Sequence, residues 1–157
     1  MRTFRTTDGA SWDLAVNVLT VKRCRDMTGV NPLALVSEQS AVADLFSDDV
    51  KLCEVLCAFV LPQLEERGKR PDDFYATING DVIEQAAEAL LGEIIDFFQE
   101  PRRGLLKKAF AKQRQAVEAI RATNVKLVEQ RIDEMDLERA LALTLSSSAS
   151  DSPASSG

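Results

Sequence analysis

Arg2-Thr3-Phe4-Arg5-Thr6-Thr7-Asp8-Gly9-Ala10-Ser11-Trp12-Asp13-Leu14 decides how this chain begins to fold. Polar and apolar residues alternate up to Thr6, Asp8-Gly9 supplies a tight turn, and Trp12, Leu14, Val16 and Val18 alternate again. An Asp-Gly pair between two period-two runs predicts a β-hairpin over residues 2–19, because glycine reaches positive φ without a Cβ clash. Two strands are not stable alone in water, so the ribbon must lie on the rest of the chain.

Beyond the ribbon the pattern is helical. Val18 to Thr28 places Val21, Cys24 and Met27 on one face and stops at Gly29. Asn31-Pro32 breaks the chain, and Ser37 is the expected cap of a short helix holding Val42, Leu45 and Phe46. Asp48 caps a longer one, with Leu52, Val55, Leu56, Phe59, Val60 and Leu64 on a wide apolar face. Pro62 removes a backbone donor within that pattern, which predicts a kink or a split. Pro71-Asp72-Asp73 opens a turn presenting Phe74, Tyr75 and Ile78. Asp81 is the expected cap of a helix running to Phe98.

Pro101 and Gly104 punctuate, and from Leu105 one phase carries Leu106, Phe110, Gln113, Val117, Ile120, Asn124, Val128, Ile132 and Met135 into the 140s. A helix of ~40 residues is roughly 60 Å long, beyond the usual globular range, which hints at packing against another chain. The expected fold class is therefore mainly α with an N-terminal β-hairpin, a helical bundle ending in a long C-terminal helix. Residues 1–145 form one expected domain; Ser146 to Gly157, rich in Ser, Ala and Pro, is an expected disordered tail.

Charge is unevenly distributed. The net value is −6, yet Pro32 to Gln99 holds 14 acids against 4 bases and Glu100 to Arg131 holds 9 bases against 3 acids. Overall acidity argues against a dedicated nucleic-acid binder, and the dipolar layout favours docking between oppositely charged parts. Met1 to Gly9 is polar with two arginines, so no secretory signal is expected. The longest apolar run, Val55 to Leu61, is far short of the roughly 20 residues that span a bilayer. Three cysteines without framework spacing suit a reducing compartment, with the cytoplasm as the default.

Sites for chemistry are scarce. Histidine is absent, and with it the commonest general base and metal ligand. Cys53 and Cys57 share a helix face, but their apolar neighbours favour small buried hydrophobes over a metal site. Asp48-Asp49 and Asp72-Asp73 sit where helices begin, so capping explains them better than an acid–base dyad. Glu84 and Glu88 lack the Glu-x-x-His partner of a carboxylate-bridged metal bundle and read as a solvated face. No glycine cluster suits a phosphate. Neither a cofactor nor an enzymatic activity is expected.

Arg102, Arg103, Lys107, Lys108, Lys112 and Arg114 form a basic stretch with only Phe110 for stacking. It favours a solvated face or a dock for an acidic partner over nucleic acid. Trp12 is expected to anchor the ribbon to the helices. Gln113 and Asn124 interrupt the last apolar stripe, as register-fixing seam residues or at an exposed edge.

An ordered series of motifs carries a family resemblance. Phe4, Asp8-Gly9, Trp12-x-Leu14-x-Val16, Thr20-Val21-Lys22-Arg23-x-Arg25 and Gly29-Val30-Asn31 are followed by Arg70-Pro71-Asp72-Asp73-Phe74, Gly80-Asp81-Val82-Ile83-Glu84-x-Ala86 and Ile95-Asp96-Phe97-Phe98. From about Phe4 to Phe110 the chain resembles the tail assembly chaperones of long-tailed bacteriophages and prophages. A proline typical of that family soon after the double phenylalanine is displaced here to Pro101.

The resemblance implies a non-enzymatic protein of the bacterial host cytoplasm, absent from the mature virion. Its implied partners are the tape measure protein, which it keeps soluble, and tail tube subunits, which it helps to recruit. A homo-oligomer is compatible, and some members have a longer form made by ribosomal frameshifting. Phe98, Leu106, Phe110, Val117 and Ile120 are the candidate partner-binding residues, lining a groove or seam for a partner helix. The same five could instead complete the protein's own core. A nucleic-acid-binding regulator and a generic helical adaptor are the competing readings.

Overall fold

The computed structural model describes residues 1–149. It is helical but for an antiparallel hairpin of β1 (Arg2–Arg5) and β2 (Ser11–Leu14), with Phe4 opposite Trp12. Gly9 turns the chain at φ +84°. The ribbon is shorter than the alternation of Val16 and Val18 suggested. Asn17 ends it: its side chain accepts from Thr20 N at 3.0 Å while Thr20 Oγ1 accepts from Asn17 N at 2.9 Å. That reciprocal cap starts α1 (Val18–Thr28) and leaves Val18 exposed as its first residue.

A 3₁₀ turn (Pro32–Val36), capped by Asn31, leads to α2 (Gln39–Ser47). Ser37 does not cap α2; it closes the 3₁₀ turn, its hydroxyl donating to Ala34 O, and Glu38 precedes the helix. Asp48 does cap α3 (Asp49–Glu66), accepting from Lys51 N at 3.0 Å. α3 runs unbroken through Pro62, so no split occurs there. α4 (Pro71–Tyr75) is one turn, and α5 (Gly80–Phe97) is capped by Asn79. The carboxamide of Asn79 accepts from Val82 N at 3.0 Å, which leaves Asp81 in the first turn instead of at the expected cap position. α6 (Arg102–Ala149) starts three residues before Leu105 and includes Gly104.

The chain forms two compact units, Met1–Lys108 and Ala109–Gly157. In the first, α3 is central: Leu52, Val55, Leu56, Ala58, Val60 and Leu64 are buried, and α1, α2, α4, α5 and β2 pack on it. α5 contributes Ala86, Leu90 and Ile94 and covers β1. Trp12, Phe4 and Phe74 form an edge-to-face cluster, with ring centroids 5.5 Å apart for Trp12–Phe74 and 6.3 Å for Phe4–Phe74. The open edge of β2 is covered by a side chain. Gln63 accepts from Asp13 N at 3.0 Å and donates to Asp13 O at 2.8 Å, as a neighbouring strand would. In the second unit the described residues form one helix, the C-terminal part of α6, which is helical to Ala149. The expected tail from Ser146 thus continues the helix to Ala149, and its remainder lies outside the described residues. No helix among the described residues is long and apolar enough to cross a membrane.

Candidate partner-binding surface

The end of α5 and the start of α6 are tied together by polar contacts around an aromatic pair. Phe97 and Phe98 meet edge to face at 5.6 Å, and the Arg102 guanidinium lies 4.3 Å over the Phe98 ring. Arg103 Nε donates to Phe98 O at 2.9 Å, and Glu100 Oε2 accepts from Gly104 N at 3.1 Å in the first turn of α6. Asp96 takes Lys107 at 3.5 Å and Arg2 at 3.3 Å. Several of the six cations expected to form a basic face are therefore already engaged: Arg102 on an aromatic ring, Arg103 on a carbonyl, Lys107 on a carboxylate. Arg114 pairs with Glu118 at 3.3 Å.

The five candidate residues divide between the two units. Phe98 and Leu106 are half-buried in the first. Phe110 is half-buried and Ile120 is 60% exposed in the second. The backbone of Val117 is helical, and its side chain is not among those described. Gln113 and Asn124 are both exposed on this chain, as are the described side chains between them on α6. Beyond Ile120 the exposure continues at Leu127, Val128, Ile132, Met135, Leu141 and Leu145, between 51% and 69%. The alternation Ala140-Leu141-Ala142-Leu143, which the single stripe did not include, makes the end of the described helix apolar on more than one side.

The polar residues singled out by sequence are otherwise occupied. Asp73 accepts from Arg70 N at 2.9 Å across the start of α4, and Asp49 and Asp72 lie in first turns, which is capping chemistry. Glu84 and Glu88 are exposed on α5. Cys57 is buried and Cys53 half-buried; burial pushes both thiols up, so neither is an activated nucleophile. Tyr75 beside them is pushed up to about 12, chiefly by burial and then by its hydrogen bond with Cys57. Cys53 and Tyr75 border a shallow concavity of about 290 Å³, whose lining also includes Val50, Glu54, Ile78 and Ile83. No group of three metal-ligating side chains exists among the described residues. Trp12 is 1% exposed and serves as the anchor of the ribbon.

No family model, curated protein or solved structure matches the chain.

Proposed function

We propose that this protein is a non-enzymatic tail assembly chaperone of a long-tailed bacteriophage or prophage, which binds the tape measure protein and keeps it soluble until the tail is built. The observation that carries the reading is the row of open apolar side chains on α6 from Ile120 to Leu145. A continuous exposed apolar surface on a water-soluble chain marks a place where another polypeptide binds. A tape measure protein is long, helical and hydrophobic, and an amphipathic helix takes such a client by laying its apolar face along it. The ordered motif series from Phe4 to Phe98 supports the same reading from the sequence side. Net acidity limits indiscriminate aggregation of the exposed face. Work in the host cytoplasm, recruitment of tail tube subunits and absence from the virion belong to this proposal. The engagement of Arg102, Arg103 and Lys107 in contacts of their own speaks against the nucleic-acid alternative.

The test is co-expression with a tape measure fragment that is insoluble alone. Recovery of that fragment in a soluble complex with this chain is the expected result; a fragment that stays in inclusion bodies whether or not the chain is present refutes the proposal.

A further inference from the structure

The charge on the second unit is divided along its length. Ala109 to Lys126 carries four bases against one acid, a balance of +3, and Leu127 to Ala149 carries five acids against two bases, a balance of −3. Both halves belong to the helix that leaves Ile120, Leu127, Val128, Ile132 and Met135 open. A helix is rarely held by its own propensity; burial of an apolar face supplies most of its stability. The occupant of this face must therefore cover apolar side chains and match a basic half followed by an acidic half.

We infer that the occupant, when no client is bound, is a second copy of the same helix running antiparallel. With the two-fold axis near Val125, the basic half of each copy lies along the acidic half of the other. Lys112 and Arg114 of one copy then stand beside Asp136 and Glu138 of the other, and Ile120 of each meets the stretch from Leu127 to Ile132. A parallel pair sets +3 against +3 and −3 against −3, so charge selects the antiparallel arrangement. Such a seam, roughly 50 Å long and one helix of about 10 Å wide on each partner, covers on the order of 1,000 Å², the lower bound for a specific interface. The result is a weak, reversible dimer that shields the apolar face and releases it to a stronger binder. The inference does not depend on the chaperone reading, because it needs only the chain itself.

Sedimentation equilibrium of the full chain over a wide concentration range tests it, with circular dichroism as the check on helix content. The parent chain is expected to dimerise. Lys112→Glu with Arg114→Glu, and separately Asp136→Lys with Glu138→Lys, each set like charges together and are expected to weaken dimerisation by more than about tenfold. An equimolar mixture of the two double variants restores opposite charges across the seam and is expected to dimerise as the parent does. A parent chain that stays monomeric at every concentration overturns the inference. Double variants that each dimerise as well as the parent overturn the antiparallel arrangement, since only a parallel or unrelated contact is indifferent to those reversals. Loss of tape measure binding with dimerisation intact would remove the chaperone reading alone.

Discussion

The indole N–H of Trp12 donates to the Thr6 hydroxyl at 3.0 Å, and that hydroxyl donates onward to Asp8 Oδ1 at 2.6 Å. Trp12 and Thr6 are both buried, so the indole nitrogen has its partner inside the protein. Arg67 closes the other face, its guanidinium 4.2 Å above the ring, while donating to Ser11 O at 2.8 Å. The turn and the α3 end of the first unit therefore converge on one side chain.

Replacing Thr6 by Val keeps the shape and removes the acceptor. A buried N–H without a partner costs about 1–3 kcal/mol. Thr6→Val is expected to lower unfolding stability by that amount, and Thr6→Ser to retain most of it. Urea titration followed by tryptophan fluorescence reads both, since Trp12 is the sole tryptophan. Equal stability of the parent and the Val variant would contradict the arrangement.

Asp8 gives the same corner a pH dependence. The Thr6 hydroxyl, the Ala10 amide and then Lys69 at 3.2 Å hold its carboxylate at about 2, below the ordinary 3.8. A carboxylate depressed in the folded state contributes stability that is fully present above its unfolded value. That contribution is lost as pH falls through the folded value. The stability advantage of the parent over Asp8→Asn is thus expected to be constant above about pH 5 and to shrink between about pH 4 and 2. Thermal melts of both proteins across that range measure it, and an advantage that widens on acidification would reverse the assignment.

Which residue caps α5 has an energetic consequence. Asn79 accepts from Val82 N, whereas Asp81 acts only through its charge near the helix N-terminus. Asn79→Ala is expected to cost about 1 kcal/mol and Asp81→Ala only about 0.3–1 kcal/mol. Chemical denaturation of the two variants ranks them; a larger loss at Asp81 would mean that the cap had been misplaced.

Local sequence signals reach only as far as local physics does. Asp8-Gly9 fixes its turn through glycine's φ and the Asp8 carboxylate's bonds to Thr6 and Ala10, and Asp48 and Gly29 act within three or four residues of their own position. Each is legible for that reason. Asn79 and Asp81 are ambiguous in the sequence because both side chains suit a cap, and only the path of the backbone decides between them. The pairing of Gln63 with Asp13 is not legible at all. It spans fifty residues and depends on where α3 meets the ribbon. For the candidate surface, periodicity identifies the phase of Phe110 and Ile120 but not what covers it, since a core face and an open face have the same spacing. Exposure of Ile120 separates the two.

That exposure sets up the sharpest test of the candidate residues. Ile120 is 60% exposed on the single chain, so Ile120→Asp removes little apolar surface buried within it. The substitution is expected to change the stability of the monomer, at concentrations too low for self-association, by no more than about 0.5 kcal/mol. Phe98 and Leu106 are half-buried in the first unit, and aspartate there is expected to cost more, about 1–3 kcal/mol. If α6 offers its face to a client helix, Ile120→Asp puts a charge into the interface while the fold survives, and co-purification of a tape measure fragment is expected to fall at least about tenfold. Circular dichroism and a thermal melt of the same preparation separate lost binding from lost structure. A stable, helical Ile120→Asp variant that captures the fragment as well as the parent would place the client elsewhere on the protein.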